Sequence, residues 1–337
     1  MSAAFMPARV GGRAAGRPAH PSPTRLRDLA RLPTMPHLTA HSGEIAALAT
    51  AFCWSFTALF FAFGGRRLGS DVVNRSRLLI ALALLVASHC LLFGRPWPVG
   101  LDLERVGWLA LSAVVGLVIG DAALFEAYVL IGPRLGALMM ALTPIASTAM
   151  AWAFLHQSVE PVQGLGIALT VGAVAWVVTE GGGAARSVDP RAFRRGVVLG
   201  TVGALGQAGN LVTARLALGD GFPTISASYV RILVAAVILW SISVARGQTA
   251  TIVRRSHADR QGLAAVAAGA FVGPFLGIWL SLVAIERTQV GVASTIMALP
   301  PVLLIPIGYV LFRERVTRRA LVGTLVAFGG VAALFLG

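Results

Sequence analysis

Two carboxylates, Asp121 and Glu126, and two guanidiniums, Arg77 and Arg231, fall within or at the ends of long apolar stretches of this chain. Ionised groups at membrane depth are costly, so each is a candidate for function. Asp121 follows Gly120 in the deeper part of its stretch. A desolvated carboxylate gains proton affinity, which suits it to proton exchange or substrate binding. Glu126 offers the same chemistry five residues on, pointing in a different direction on a helix. Arg77 and Arg231 can hold a carboxylate or phosphate by paired hydrogen bonds, or snorkel to headgroups as helix-end arginines do. Trp54, Gln207, Asn210 and Trp279, with Ser281 and Tyr128, can line a cavity in which aromatics hold organic groups and amides bond polar ones. His89, beside Ser88, reads as a satisfied core histidine rather than a proton relay.

Other chemistry is excluded by what the chain lacks. All 28 basic residues are Arg. Without Lys there is no Walker A motif, no Schiff base and no Lys nucleophile, so P-loop ATP hydrolysis is ruled out. Cys53 and Cys90 lie in apolar segments and read as small buried hydrophobes. Neither a metal nor a cofactor is expected.

The elements that must position these groups are membrane helices. Of the 337 residues, 56% are hydrophobic and 12% charged, against about a quarter charged in soluble proteins. Apolar runs of about 18–23 residues recur, the length that crosses a hydrocarbon core. The short alternating segments of an outer-membrane barrel are missing. The fold class is therefore an all-α polytopic membrane protein, with the lipid bilayer as its surroundings. The net charge of +14 does not imply nucleic acid, because nearly all the arginines sit in the N-terminal tail or in short loops, as headgroup anchors do.

About ten helices are expected, near 44–64, 75–94, 106–129, 134–155, 161–180, 196–217, 226–245, 261–286, 290–312 and 318–336. Residues 1–42, rich in Arg and Pro, read as a disordered tail, with Met35 as an alternative start; 181–195 read as a linker. The remainder is one unit used twice, at 43–180 and 196–337. Met140-Ala-Leu-Thr-Pro144 returns as Met297-Ala-Leu-Pro-Pro301 at an offset of 157, which also pairs Gly120 with Gly277, Gly166 with Gly323 and Gly172 with Gly329. Nearer the start of each unit the offset is 153 or 154, pairing Trp54 with Gln207 and Arg77 with Arg231. An odd number of helices per unit makes the two copies inverted in topology, with a site expected between them. Pro144, Pro300 and Pro301 interrupt matched helices and are candidate hinges. The repeated glycines fit close helix contact, and the Gly-rich last helices offer a face for a homodimer. Asp121 and Glu126 have only apolar partners, Ile278 and Val283, so any ion chemistry belongs to the first half.

These features resemble the EamA-type transporters of the drug/metabolite transporter superfamily. The second half carries the closer match: Ala-Ile-Glu-Arg-Thr-Gln-Val-Gly-Val-Ala-Ser at 284–294, Ala-Leu-Pro-Pro at 298–301, Leu-Phe-Arg-Glu-Arg-Val-Thr at 311–317, and Gly323. The first half has Gln157 where the family pattern carries the Glu of position 314. The resemblance implies a carrier of small organic metabolites in a cell membrane, with a bacterial inner membrane expected, working by alternating access. Gradient-driven export is the leading expectation and uptake the alternative. It also implies cytoplasmic termini, whereas the arginine distribution opposes that placement; orientation stays open. A membrane-embedded lipid-modifying enzyme is the alternative class, for which only His257 and Asp259 in one loop speak; a purely structural or accessory membrane protein is a third, which would not require matched prolines and deep carboxylates.

Overall fold

The apolar runs become helices throughout the computed structural model, which describes residues 41–98, 100–179, 189–219, 221–312 and 317–336. Residues 1–40 of the expected tail, most of the linker and Glu314 lie outside the described residues, and Ser42, the tail's last residue, already opens the first helix. The helices are α1 (Ser42–Leu68), α2 (Ser70–Phe93), α3 (Leu103–Ser112), α4 (Asp121–Met140), α5 (Leu142–Leu155), α6 (Pro161–Thr179) and α7 (Pro190–Leu218). They continue as α8 (Thr224–Ala245), α9 (Thr249–Ala258), α10 (Arg260–Ala270), α11 (Ile278–Arg287), α12 (Val290–Met297), α13 (Pro300–Phe312) and α14 (Arg318–Leu336). Two π-helical segments, Ala113–Gly120 and Phe271–Gly277, join α3 to α4 and α10 to α11.

Seven helical stretches among the described residues are long and apolar enough to cross a membrane: Ser42–Leu68, Ser70–Phe93, Leu103–Ile131, Pro190–Leu218, Thr224–Ala245, Arg260–Arg287 and Val290–Ile307. Leu142–Leu155, Pro161–Val177 and Leu321–Leu336 are shorter apolar helices. Aspartates start several of these elements by accepting a backbone N–H in the first turn: Asp102 from Arg105 at 2.7 Å, Asp189 from Ala192 at 3.2 Å, and Asp259 from Gly262 at 3.0 Å.

The prolines set where helices stop. A proline lacks the N–H that would bond the carbonyl four residues back, and its ring collides with that carbonyl. Four residues before Pro144 and Pro301 stand Met140 and Met297, and there α4 and α12 end. The single helices expected at 134–155 and 290–312 are thus each divided, at Ala141 and at Ala298–Leu299. Another reversal hides inside α4. The Cβ atoms of Met139 and Ala127 both lie within 4 Å of the place a Cβ on Gly200 would occupy, at 2.9 and 3.6 Å. A straight helix would part them by about 18 Å, so the chain turns back after Ile131, close to the boundary expected from sequence. The stretch 246–260, expected to be a loop, instead contains α9, which turns Ile252 and Ser256 inward and leaves Arg254 and Arg255 exposed.

The halves interlock. Helix α1 packs on α10, the second π segment and α11, and α7 packs on α3, the first π segment and α4. Likewise α2 meets α8, α5 meets α12, and α6 meets α14. Each repeat therefore buries its first helix in the other. Glycine pairs four apart, Gly116/Gly120 and Gly273/Gly277, make the approach close. A Cβ on Gly116 would meet Asn210 at 2.5 Å and one on Gly273 would meet Thr57 at the same distance; one on Gly277 would lie 2.9 Å from Trp54 Nε1.

At the α6–α14 seam a Cβ on Gly166 would lie 2.8 Å from the Gly330 carbonyl, while Gly172 has no neighbour within 4 Å. Gly166→Leu should cost about 1–3 kcal/mol by overpacking and Gly172→Leu little. Thermal unfolding of the purified protein tests this, and equal melting points for the two variants would contradict the seam. At the exposed end of α1, Arg67 donates to both oxygens of Asp259, at 2.5 and 3.2 Å. Those bonds, with the Gly262 N–H, hold the Asp259 carboxyl below its ordinary 3.8. A depressed folded pKa stabilises above the unfolded value and loses that effect as pH falls through the folded one. Asp259→Asn should therefore melt below wild type at neutral pH, and the two curves should converge under pH 3.8.

Candidate functional site

The first π segment delivers Asp121 to α7, and the absence of side chains on Gly116, Gly120 and Gly206 lets α7 come near enough to meet it. One Asp121 oxygen accepts from Arg77 Nη2 at 2.8 Å and the other from Gln207 Nε2 at 2.9 Å. Gln207 Nε2 also leans toward the Gly116 carbonyl at 3.4 Å, and its Oε1 accepts from Asn210 Nδ2 at 3.2 Å. Asn210 Oδ1 then accepts from Ser112 Oγ at 2.8 Å and from Arg231 Nη2. With two donors facing it, the Asn210 oxygen can point only this way. The result is one continuous chain, Arg77–Asp121–Gln207–Asn210–Arg231, in which four elements from both halves take part.

Burial gives this chain its energetic weight. The side chains of Arg77 and Asp121 are 12% and 16% exposed; Arg231 is 1% exposed and Asn210 is buried. The Arg77 guanidinium also sits 5.8 Å from the ring centres of Phe61 and of Phe125, where aromatic faces favour a cation. Breaking a pair in such surroundings leaves an uncompensated charge.

Five of the residues expected from sequence thus converge, and others stand apart. Glu126 pairs with Arg195 instead, with side chains 44% and 66% exposed. Trp54 packs on Gly277, the repeat image of the Gln207–Gly120 contact. Trp279 Nε1 donates to Thr224 Oγ1 at 3.0 Å, at the start of α8. Ser281 Oγ bonds its own helix at the Ile278 carbonyl, and the Tyr128 side chain is outside the described residues. Pro144 lies in the first turn of α5, where its carbonyl accepts from Ser147 and Thr148; Pro300 and Pro301 open α13. His89 is buried and its Nε2 bonds Ser226 Oγ at 2.8 Å, but its Nδ1 is buried without a hydrogen-bond partner among the described residues, so the expected core histidine is only half satisfied. His257 bonds the Val253 carbonyl and Asp259 bonds Arg67, each turned to another partner.

Sequence reading missed Ser112 and Arg75. Arg75 is buried and donates to Ser243 Oγ at 2.5 Å and to Asp71 at 3.0 Å. It stands near the start of an apolar run, where most arginines of this chain read as headgroup anchors. For Ser112 a signal existed: it precedes the Gly116-xxx-Gly120 pair that recurs at Gly273 and Gly277.

Residues 41–179 and 194–336 each match the model of the EamA-like transporter family. The chain belongs to that family. It is accordingly a multi-pass membrane transporter of the drug/metabolite type, in a family of transporters rather than enzymes. A solved crystal structure, titled only as that of a protein, has a TM-score of 0.70 at 15% identity and covers 88% of this chain and 96% of its own. At that identity the likeness speaks of fold alone. None of the curated proteins compared with the chain matches it. In this EamA-type transporter the polar chain runs across the contact between the two matched repeats.

Removing one partner of the Arg77–Asp121 pair should cost about 3–5 kcal/mol. The double variant Arg77→Gln/Asp121→Asn should be less destabilised than the sum of the singles, as read in a double-mutant unfolding cycle. Strict additivity would show that the two groups are not coupled.

Proposed function

We propose that the chain is a secondary carrier of small organic metabolites, built as ten transmembrane helices in two inverted five-helix repeats and working by alternating access. Its task in this proposal is export driven by a proton or solute gradient, across a bacterial inner membrane. The observation that supports it is the Arg77–Asp121–Gln207–Asn210–Arg231 chain, since a buried polar string spanning two repeats is where a midplane site belongs.

The chemistry follows from the pairing. Asp121 holds Arg77 and Gln207 together across the halves. A proton arriving on Asp121 removes the charge that holds Arg77 and turns one of its oxygens into a donor. The bond at the protonated oxygen must then rearrange while the other oxygen still accepts, and loss of the ionic hold on Arg77 lets the halves separate on one side. Pro144 and Pro300–Pro301 sit at breaks between helix segments, where bending costs no further hydrogen bond, so they serve as hinges in this reading. The enzyme alternative has less support, because the two loop residues that suggested it are engaged elsewhere.

Transport measured in inverted membrane vesicles tests the role of Asp121. Asp121→Asn should lower gradient-driven flux at least tenfold while the protein still inserts and folds. Unchanged flux at every pH would remove Asp121 from the coupling mechanism.

A further inference from the structure

The network is not electrically balanced. It holds two guanidiniums, Arg77 and Arg231, and one carboxylate, Asp121. No ion pair joins Arg231 to a carboxylate among the described residues, and several carboxylates are held elsewhere: Glu126 by Arg195, Asp71 by Arg75, Asp259 by Arg67, and Glu44 by Thr288. Arg77 has Asp121. Arg231 feels Asp121 only through space; its one hydrogen-bond acceptor is the neutral Asn210 oxygen, and its Nε and Nη1 are buried without a protein acceptor among the described residues. Those two nitrogens carry three of the five guanidinium N–H groups. Arg231 lies seven residues into α8, about 10 Å along the helix, so it does not reach out to headgroups.

The internal repeat shows what is missing. Arg77 and Arg231 are matched at an offset of 154, and Asp121 is matched with Ile278 at 157. The first half therefore supplies the counter-charge to its own arginine, and the second half puts a hydrocarbon at the corresponding place. A buried guanidinium with most of its donors open and a net charge of +1 around it is incomplete until an anion arrives.

Building on the carrier reading above, we infer that the cargo brings that anion: it bears a single negative charge on a carboxylate or phosphate-type oxyanion, and Arg231 is the residue that binds it. Binding there draws on Asn210, whose oxygen shares Arg231, and through Gln207 it reaches Asp121. Cargo and the Arg77–Asp121 latch are thereby linked through two amides.

The test uses the purified full chain in detergent and reads its melting temperature against matched probes: hexanoate with hexanamide, phenylacetate with phenylacetamide, diethyl phosphate, and dioctanoyl phosphatidylglycerol. A bound probe at ten times its Kd should raise the melting temperature by roughly 3 °C. The small anions should do so, and their neutral amides should not. Arg231→Gln should abolish the anion-dependent rise. Ile278→Asp should raise the melting temperature without any probe, by pairing with Arg231, and should then make the protein insensitive to the anions. A rise that neutral amides match, a rise that persists in Arg231→Gln, or no rise with any probe overturns the assignment. A rise with phosphatidylglycerol alone assigns Arg231 to lipid and overturns it as well. Vesicle flux separates this from the carrier reading: an Arg231→Gln protein that still moves a neutral or cationic compound sinks the anionic cargo alone. A wild-type protein that moves nothing sinks the carrier.

Discussion

A charged side chain in a hydrocarbon setting must find a counter-charge or a full set of hydrogen bonds, and the centre of this molecule is arranged around that need. Asp121 answers it for Arg77, and Gln207 and Asn210 carry the requirement onward until it reaches Arg231. The helices on which these residues ride could not approach so closely with ordinary side chains at Gly116, Gly120 and Gly206. Small residues and ionised ones are therefore parts of one arrangement: the glycines bring backbones together, and the nearness then makes short polar bonds across the repeats.

Duplication produced a framework more symmetrical than its contents. Both halves have a π segment, a glycine pair, a proline-terminated helix and a first helix embedded in the other repeat. At the contacts themselves the two copies diverge. Gln207 and Asn210 face the first π segment, while Trp54 and Thr57 face the second. One side is a hydrogen-bonding seam and the other an aromatic one. That difference makes a pseudo-symmetric shell unequal, with charged and hydrogen-bonded side chains on one flank and aromatic packing on the other.

Much of this was legible in the sequence, for definite physical reasons. Hydrocarbon length fixes helix length, so spans appear as apolar runs; duplication leaves constant offsets, so matched positions can be counted. Asp121, Arg77, Arg231, Gln207 and Asn210 were visible because polar atoms in such runs are rare. Their mutual bonding was not visible, since it depends on which helix faces which. Glu126 shows the limit: five residues from Asp121 and equally conspicuous, it emerges on the far side of the helix and pairs with Arg195. Arg75 shows the converse, a residue placed among loop anchors that folding takes inside. The break at Met140 and Met297 followed from proline chemistry, whereas the reversal after Ile131 emerged only from two side chains sharing one glycine.

The π segments carry a geometric implication of their own. A π ring closes over one more residue than an α ring, and one residue corresponds to about 100° of rotation around a helix axis. The azimuth at which Asp121 leaves its helix is thus set by slack stored in the eight residues before it. Were that slack taken up, α4 would swivel as a screw does, carrying the carboxylate off Arg77 without unfolding a turn. The second repeat stores slack at the matched place with Ile278 at its outlet, so the same swivel there would move no charge. One molecule thus holds two π segments of like construction, and only the first leads into an ionised side chain.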